Sequence, residues 1–250
     1  MFRKWVLMGY TKSAQYYDLF GEKPDIDYYR SLGIKYGSAL EIGVGTARVA
    51  LELARANVDV WGIDNSEEML EIARQKIADE PAEVRKRIVL KKTEMTDFHL
   101  SQTFPVIYMP SSALSHCVTT EDQLTCLKCV YEHLEKNGLF AFDIVLPKQS
   151  YHSGNTLINK KDINSKTVVR WISNRPDFLN QLLHTTLIFE VYEHEKLTER
   201  IIESSTVSLI YKRELLLLLD MCNFEVDNMY GDFSKSDIIA NLLVVEARKQ

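Results

Sequence analysis

Ala39-Leu-Glu41-Ile-Gly43-Val-Gly45-Thr-Ala47-Arg48 is the stretch that decides the fold. Residues 39–42 read as a strand and residues 47–56 as a helix, so the two glycines fall where strand turns into helix. A bare backbone there lets a ligand approach, and the helix N-terminus offers unpaired N–H groups. Outward from this junction, β-rich runs at 58–63, 88–92, 106–109 and 139–144 alternate with helical periodicities at 67–79 and 121–134. That alternation is the mark of βαβ units and a parallel sheet. Met69, Leu70, Ala73 and Ile77 share one helical face, Asn65 or Ser66 suits the N-terminus of that helix, and Pro81 ends it. The expected fold class is α/β, a doubly wound Rossmann-like sheet whose ligand crevice lies at the strand ends.

After Pro147 the pattern changes. Residues 167–172, 182–192 and 201–209 alternate with period two, which predicts an antiparallel meander. Residues 212–222 return to a helix with Asn223 as a left-handed stop, and strands follow at 224–230 and 242–247. The expected organisation is one domain, 1–250, with a cofactor-binding core of 1–147 and 210–250. Residues 148–209 are then an inserted antiparallel element, serving as acceptor lid, oligomer interface or both.

Composition narrows the partners. The chain has 250 residues, 46% apolar and 26% charged, and a net charge of −5 that repels a phosphate backbone. Lys160 and Lys161 stand beside Asp162 and form no basic cluster. Residues 215–219, the longest apolar stretch, fall far short of a bilayer span, and Trp5-Val-Leu-Met8 is too short for a cleavable signal. A cytoplasmic chain is expected, with neither membrane nor nucleic acid as partner. Cys117, Cys126, Cys129 and Cys222 read as reduced thiols; the CxxC pair lies inside a helix with no second pair at zinc spacing, so no metal is expected.

Glycine loops of this kind serve NAD, FAD, nucleotides and S-adenosylmethionine, or merely turn the chain. Asp64, nineteen residues beyond Gly45, stands where a carboxylate accepts both ribose hydroxyls of an adenosine, and it also suits capping of the next helix. Glu41 separates the cofactors. A pyrophosphate is repelled by a carboxylate two residues before the first glycine, whereas the ammonium and sulfonium of S-adenosylmethionine are attracted to it.

Leu40-Glu-Ile-Gly-Val-Gly-Thr-Ala-Arg48, Gly62-Ile-Asp64 and Glu68-Met-Leu-Glu-Ile-Ala-Arg74 resemble the class I S-adenosylmethionine-dependent methyltransferases. Met109-Pro-Ser-Ser112, Thr119-Thr-Glu121, Glu132-His-Leu-Glu135, Gly138, Tyr17-Asp18, Tyr230-Gly231 and the last strand are similar to bacterial amino-sugar N-methyltransferases, which also carry an antiparallel insertion after the fifth strand. The resemblance implies that Glu41, Gly43 and Gly45 surround the methionine part of the cofactor and Asp64 its ribose. Asn65 and Met69 would flank the adenine, with Glu94 and Met95 at its edge. Met109 to Ser111 would close beneath the sulfonium, and Tyr17 would lie over the cofactor or meet its carboxylate. Thr93, Pro105 and Asn137 depart from the family pattern at turns. Pro105 is expected at the first position of its strand, because it cannot donate within a ladder.

Methyl transfer needs a lone pair aligned with the carbon–sulfur bond, water excluded, and a base to take the acceptor's proton. His116, after the fourth strand at the ligand edge, is the candidate base; one inserted residue aligns it with a family Tyr or His position and restores the match at Thr119-Thr120-Glu121. A surface or supporting histidine is the competing account. His99, His133, His152, His184 and His194 are expected on solvated faces. The expected acceptor is a small molecule, methylated on nitrogen or oxygen, with a homodimer formed through the β insertion. The competing functions are an RNA or protein methyltransferase, a non-catalytic cofactor-binding module, and an NAD-dependent oxidoreductase.

Overall fold

A computed structural model describes residues 12–20, 24–148, 155–163, 165–239 and 241–250. Helix α1 (Ile26–Tyr36) leads into strand β1 (Ser38–Ile42), followed by α2 (Arg48–Arg55), β2 (Asp59–Asp64), α3 (Glu67–Ala78), the short α4 (Ala82–Arg85), β3 (Ile88–Lys92) and β4 (Phe104–Met109). Helix α5 (Thr120–His133) runs directly into β5 (Leu134–Val145). Four long strands come next, β6 (Asn155–Ile163), β7 (Lys166–Asp177), β8 (Leu182–Glu193) and β9 (Lys196–Ser208). Helix α6 (Lys212–Met221), β10 (Phe224–Tyr230) and β11 (Leu242–Lys249) finish the chain.

Seven strands form one sheet in the order β10-β11-β5-β4-β1-β2-β3. The β3-β2-β1-β4-β5 pairings are all parallel, and β11 runs antiparallel to both β5 and β10. The expected α/β Rossmann-like sheet is therefore the observed one, and its last strand is reversed. Central strands buried on both faces carry apolar side chains on both: Leu40 and Ile42 belong to one core cluster, Ala39 and Val44 to the other. Leu215, Leu218 and Leu219 of α6 are buried, while Leu217 on the far side is 64% exposed, so the leucine run is one amphipathic helix face and its back.

Strands β6 to β9 form a second, antiparallel four-stranded sheet. The meander has one strand more than its period-two runs predict. β6 was missed because a register shift between Leu157 and Asn159 breaks its alternation. On one face of this sheet Val168, Phe189, Val191 and Ile201 pack against Phe20, Tyr16 and Leu19. Segment 12–20 is thereby tied to the sheet, and Glu203 of β9 accepts hydrogen bonds from the backbone N–H of Lys12 (2.5 Å) and from the Ser13 hydroxyl.

Two local expectations need correction. Pro105 is the second residue of β4, not the first; the ladder skips it, pairing Phe104 with Leu134 and Val106 with Leu139, so the missing donor falls in an irregularity. His133 is buried, not solvated: its Nε2 accepts from Leu100 N at 3.0 Å, its Nδ1 lies 2.8 Å from Cys129 O, and its ring sits 4.5 Å from that of Phe98. Helical period puts residue 133 on the same face as Cys126, Cys129 and Val130, and that face turns inward. His184 is half-buried against Thr206, and His152 and the Trp5 run lie outside the described residues. All four cysteines are free and buried, and among the described residues no helix is long and apolar enough to cross a membrane.

Candidate active site

The loop after β1 is shaped by the neighbouring strand. Gly43 N and Val44 N both donate to Ile63 O at 2.9 Å, and Gly43, Gly45 and Ala47 all take positive φ (+73°, +52° and +59°). A Cβ on Gly43 would lie 3.2 Å from the Ala113 Cβ, and around a Cβ on Gly45 the nearest atom is 3.9 Å away. Backbone is thus laid bare at the C-terminal edge of the sheet, where the first turn of α2 begins. Gly62 serves the same loop differently: a Cβ there would come within 2.6 Å of the Val44 side chain.

Glu41 is buried under this loop and accepts from the Tyr108 hydroxyl at 3.3 Å. Burial raises its pKa from 4.5 to about 8, against the opposing pull of the nearby Arg48 guanidinium. A folded-state pKa above the unfolded one means that the stability linked to this group is full below pH 4.5 and is lost as pH rises through about 8. The melting temperature of the ligand-free chain is expected to fall between pH 6 and 9, and Glu41→Gln is expected to flatten that slope. An unchanged slope in the variant would show that Glu41 is already ionised at neutral pH.

Asp64 ends β2. Its Oδ2 accepts from Gly45 N at 2.8 Å and its Oδ1 from Ser66 N at 2.9 Å, so the carboxylate ties the glycine loop to the turn before α3. Ser66 is the N-cap of α3, accepting from Met69 N at 3.2 Å. Asn65 donates to Glu94 Oε2 at 3.0 Å, which brings two predicted adenine-site residues side by side, and Met69 is buried beneath them. Met95 is half-buried against the core, and the Met109 side chain is wholly inside it, away from the loop.

His116 ends a 3-10 turn, Ala113–His116, that leans on the glycine loop through Ala113. Its burial lowers the imidazole pKa below 6.5 and the Asp64 carboxylate pulls the other way, so the ring is neutral at pH 7 and within electrostatic reach of Asp64. The turn is braced from the second sheet, where the Ser208 hydroxyl of β9 donates to Ser115 O at 3.1 Å.

Four charged residues at this edge were given no role from the sequence. Arg48 grips Asp25, the N-cap residue of α1, through two hydrogen bonds of 2.6 and 2.5 Å, and its NH2 lies 3.3 Å from Ser111 Oγ. Tyr17 reaches Ser111 and feels the same guanidinium, and burial raises its phenol pKa. Asp18, its neighbour, accepts from Thr46 Oγ1 at 3.0 Å and from Lys76. Asp143, near the end of β5, is the fourth. Arg48 ends the quoted glycine motif, but its partner lies 23 residues away and nothing local announces it.

The residues present fit a cationic, phosphate-free ligand: bare backbone over Gly45, the buried Glu41 on one side of the loop and the half-buried Asp64 on the other, and an arginine already engaged by Asp25. Among the described residues no three His, Cys, Asp or Glu side chains come together as a metal cage.

Residues 39–138 match the methyltransferase domain family. The chain is 29% identical over 136 residues to the dTDP-3-amino-3,4,6-trideoxy-alpha-D-glucopyranose N,N-dimethyltransferase of Streptomyces venezuelae, covering 50% of this chain and 54% of that protein. The chain spans about half the length of the curated relatives it matches. Among solved structures, the CcbJ methyltransferase from Streptomyces caelestis is 25% identical with a TM-score of 0.81, covering 94% of this chain and 95% of that one. An S-adenosylmethionine-dependent methyltransferase from Clostridium acetobutylicum shares the fold at a TM-score of 0.78 and 18% identity, over 95% and 97% of the two chains.

Proposed function

Starting from a chain whose residues 39–138 match the methyltransferase domain family, we propose that it transfers a methyl group from S-adenosylmethionine to a nitrogen or oxygen of a small-molecule acceptor. The observation that carries this reading is the pair of acidic side chains, the buried Glu41 and the half-buried Asp64, flanking a glycine loop whose backbone is open. When bound, S-adenosylmethionine supplies a methyl group made electrophilic by a positive sulfur. Everything else falls to the chain: Glu41, Gly43 and Gly45 hold the methionine end, and Asp64 accepts from the ribose. Asn65, Met69, Glu94 and Met95 enclose the adenine. Tyr17, Ser111 and the backbone of Met109 close over the reacting end.

His116 takes the proton that the acceptor releases. A neutral imidazole at pH 7 is the form that accepts a proton, and lowering its pKa keeps it so. Its loop meets the second sheet, so the inserted strands roof the acceptor side, with 148–209 acting as a lid between the two parts of the core. The amino-sugar substrate in the name of the Streptomyces venezuelae relative favours an amine as acceptor. The outer face of the lid carries a cross-strand row, Leu157, Trp171, Ile188 and Ile202, and the end members are 51% and 55% exposed. That row supports a homodimer through this sheet, and a monomer by sedimentation velocity would exclude it.

The decisive experiment incubates the protein with methyl-labelled S-adenosylmethionine and a panel of amino sugars and other small amines, with RNA and protein fractions in parallel. Label is expected in a small molecule. Label in a macromolecule would reassign the acceptor, and binding of NADH without binding of S-adenosylmethionine would overturn the proposal. With the acceptor in hand, His116→Ala is expected to lower kcat by about 10²–10⁴-fold, the usual worth of a general base. Native turnover in that variant would remove His116 from the mechanism.

A further inference from the structure

Two consecutive non-glycine residues, Ser111 and Ser112, adopt the left-handed conformation with φ of +58° and +56°. An isolated left-handed serine is uncommon, and a pair persists only where the surroundings dictate it. Here the dictating group is one carboxylate. Asp143 accepts from Ser111 N and Ser112 N, both at 2.9 Å, from the Tyr29 hydroxyl at 2.8 Å and from the Ser112 hydroxyl at 3.4 Å. It is 4% exposed, so it cannot itself meet a ligand. Ser112 Oγ in turn accepts from Val145 N at 2.9 Å, closing the turn onto the end of β5.

We infer that Asp143 is the positioning residue of the active-site turn: its carboxylate gathers two successive backbone N–H groups and so holds residues 111–116 in a shape they would not keep alone. The turn is worth holding because of what sits on it. Ser111 meets Arg48 and Tyr17, Ala113 packs on Gly43 of the glycine loop, and His116 closes it. An asparagine at 143 could not do the same work, because it would present an N–H group to one of the two N–H donors.

Among the described residues the carboxylate has no cationic partner in direct contact. Burial accordingly lifts its pKa from 3.8 to about 6, with the donated hydrogen bonds pulling down and Asp25 adding to the rise. The titratable and charged groups around it are Tyr28, Tyr29 and Asp25 from α1, Arg48 from α2, Tyr17, and His116 at the far end of the turn. Protonation of Asp143 removes one of the two strong acceptors, so the turn loosens as pH falls through about 6.

The naming of the turn as active rests on the function proposed above; the hydrogen bonds do not, and the test separates the two. In ¹H–¹⁵N spectra of the native chain, the Ser111 and Ser112 amides are expected downfield at pH 7.5 and to move upfield together with a shared midpoint near 6. In Asp143→Asn both titrations should vanish, hydrogen exchange at the two amides should quicken, and S-adenosylhomocysteine should bind about 10–100-fold more weakly, the worth of hydrogen bonds to a charged group.

Amides that do not titrate in the native chain overturn the inference without any variant being made. A folded Asp143→Asn protein with native affinity overturns it too. A native chain that binds no S-adenosylhomocysteine overturns the proposed function instead, and the amide titration still decides the role of Asp143.

Discussion

Replacing Asp64 by alanine is expected to weaken binding of S-adenosylmethionine and S-adenosylhomocysteine by about 100-fold or more. Each carboxylate oxygen already accepts one backbone N–H, from Gly45 at 2.8 Å and Ser66 at 2.9 Å. A carboxylate offers about four lone-pair directions, so one on each oxygen remains for the two ribose hydroxyls. Alanine removes both sets at once. Hydrogen bonds to an ionised group contribute about 1.5–3 kcal/mol each, and losing two that face the ligand amounts to roughly two to four powers of ten in affinity. The loss also unties the glycine loop, so the effect should exceed that of Asp64→Asn, which keeps one acceptor oxygen. Calorimetric titration with S-adenosylhomocysteine checks this, and unchanged affinity in Asp64→Ala would sink the ribose assignment.

Arg48→Met is expected to cost about 3–5 kcal/mol of folding stability, the usual penalty for stranding one member of a buried ion pair. The side chains of Arg48 and Asp25 are only 11% and 6% exposed, and the pair is bidentate. Methionine fills the volume of the arginine stem but leaves the Asp25 carboxylate without its partner. For a chain of this size the corresponding fall in melting temperature is about 10 °C or more. Asp25→Asn combined with Arg48→Met should recover much of the loss, because no charge is then left buried. A single-variant cost below about 1 kcal/mol would mean that water reaches Asp25 and that the pair behaves as a surface one.

The core of the fold was legible because it is written locally. Parallel strands buried on both faces appear as continuous apolar runs, and the helix between them shows its buried face at three- and four-residue spacing, as Met69, Leu70 and Ala73 do. Asn223 as a left-handed stop, at φ of +61°, could be read from residue type alone, and the N-cap expected at Asn65 or Ser66 falls on Ser66. Glu94 and Asn65, both set at the adenine by the resemblance, meet at 3.0 Å.

What escaped was set by partners distant in sequence. Asp143 is one acidic residue in an apolar strand until Ser111 and Ser112, some 32 positions earlier, are folded onto it. Asp25 and Arg48 are ordinary surface types that become a buried pair only when α1 crosses α2. Glu203 captures Ser13 from 190 residues away. β6 was hidden by a register shift that interrupts its alternation, and His133 by the habit of assigning histidine to water when its helical face says otherwise.

The floor beneath the site is layered with phenols, each aimed at a carboxylate: Tyr28 at Glu246, Tyr29 at Asp143 and Tyr108 at Glu41. Burial and the adjoining negative charge push all three far above the ordinary tyrosine range. The molecule therefore carries its own optical gauge. On alkaline titration, exposed tyrosines should develop phenolate absorbance first while these three stay silent, and their late, abrupt appearance would time the moment at which the cofactor platform comes apart.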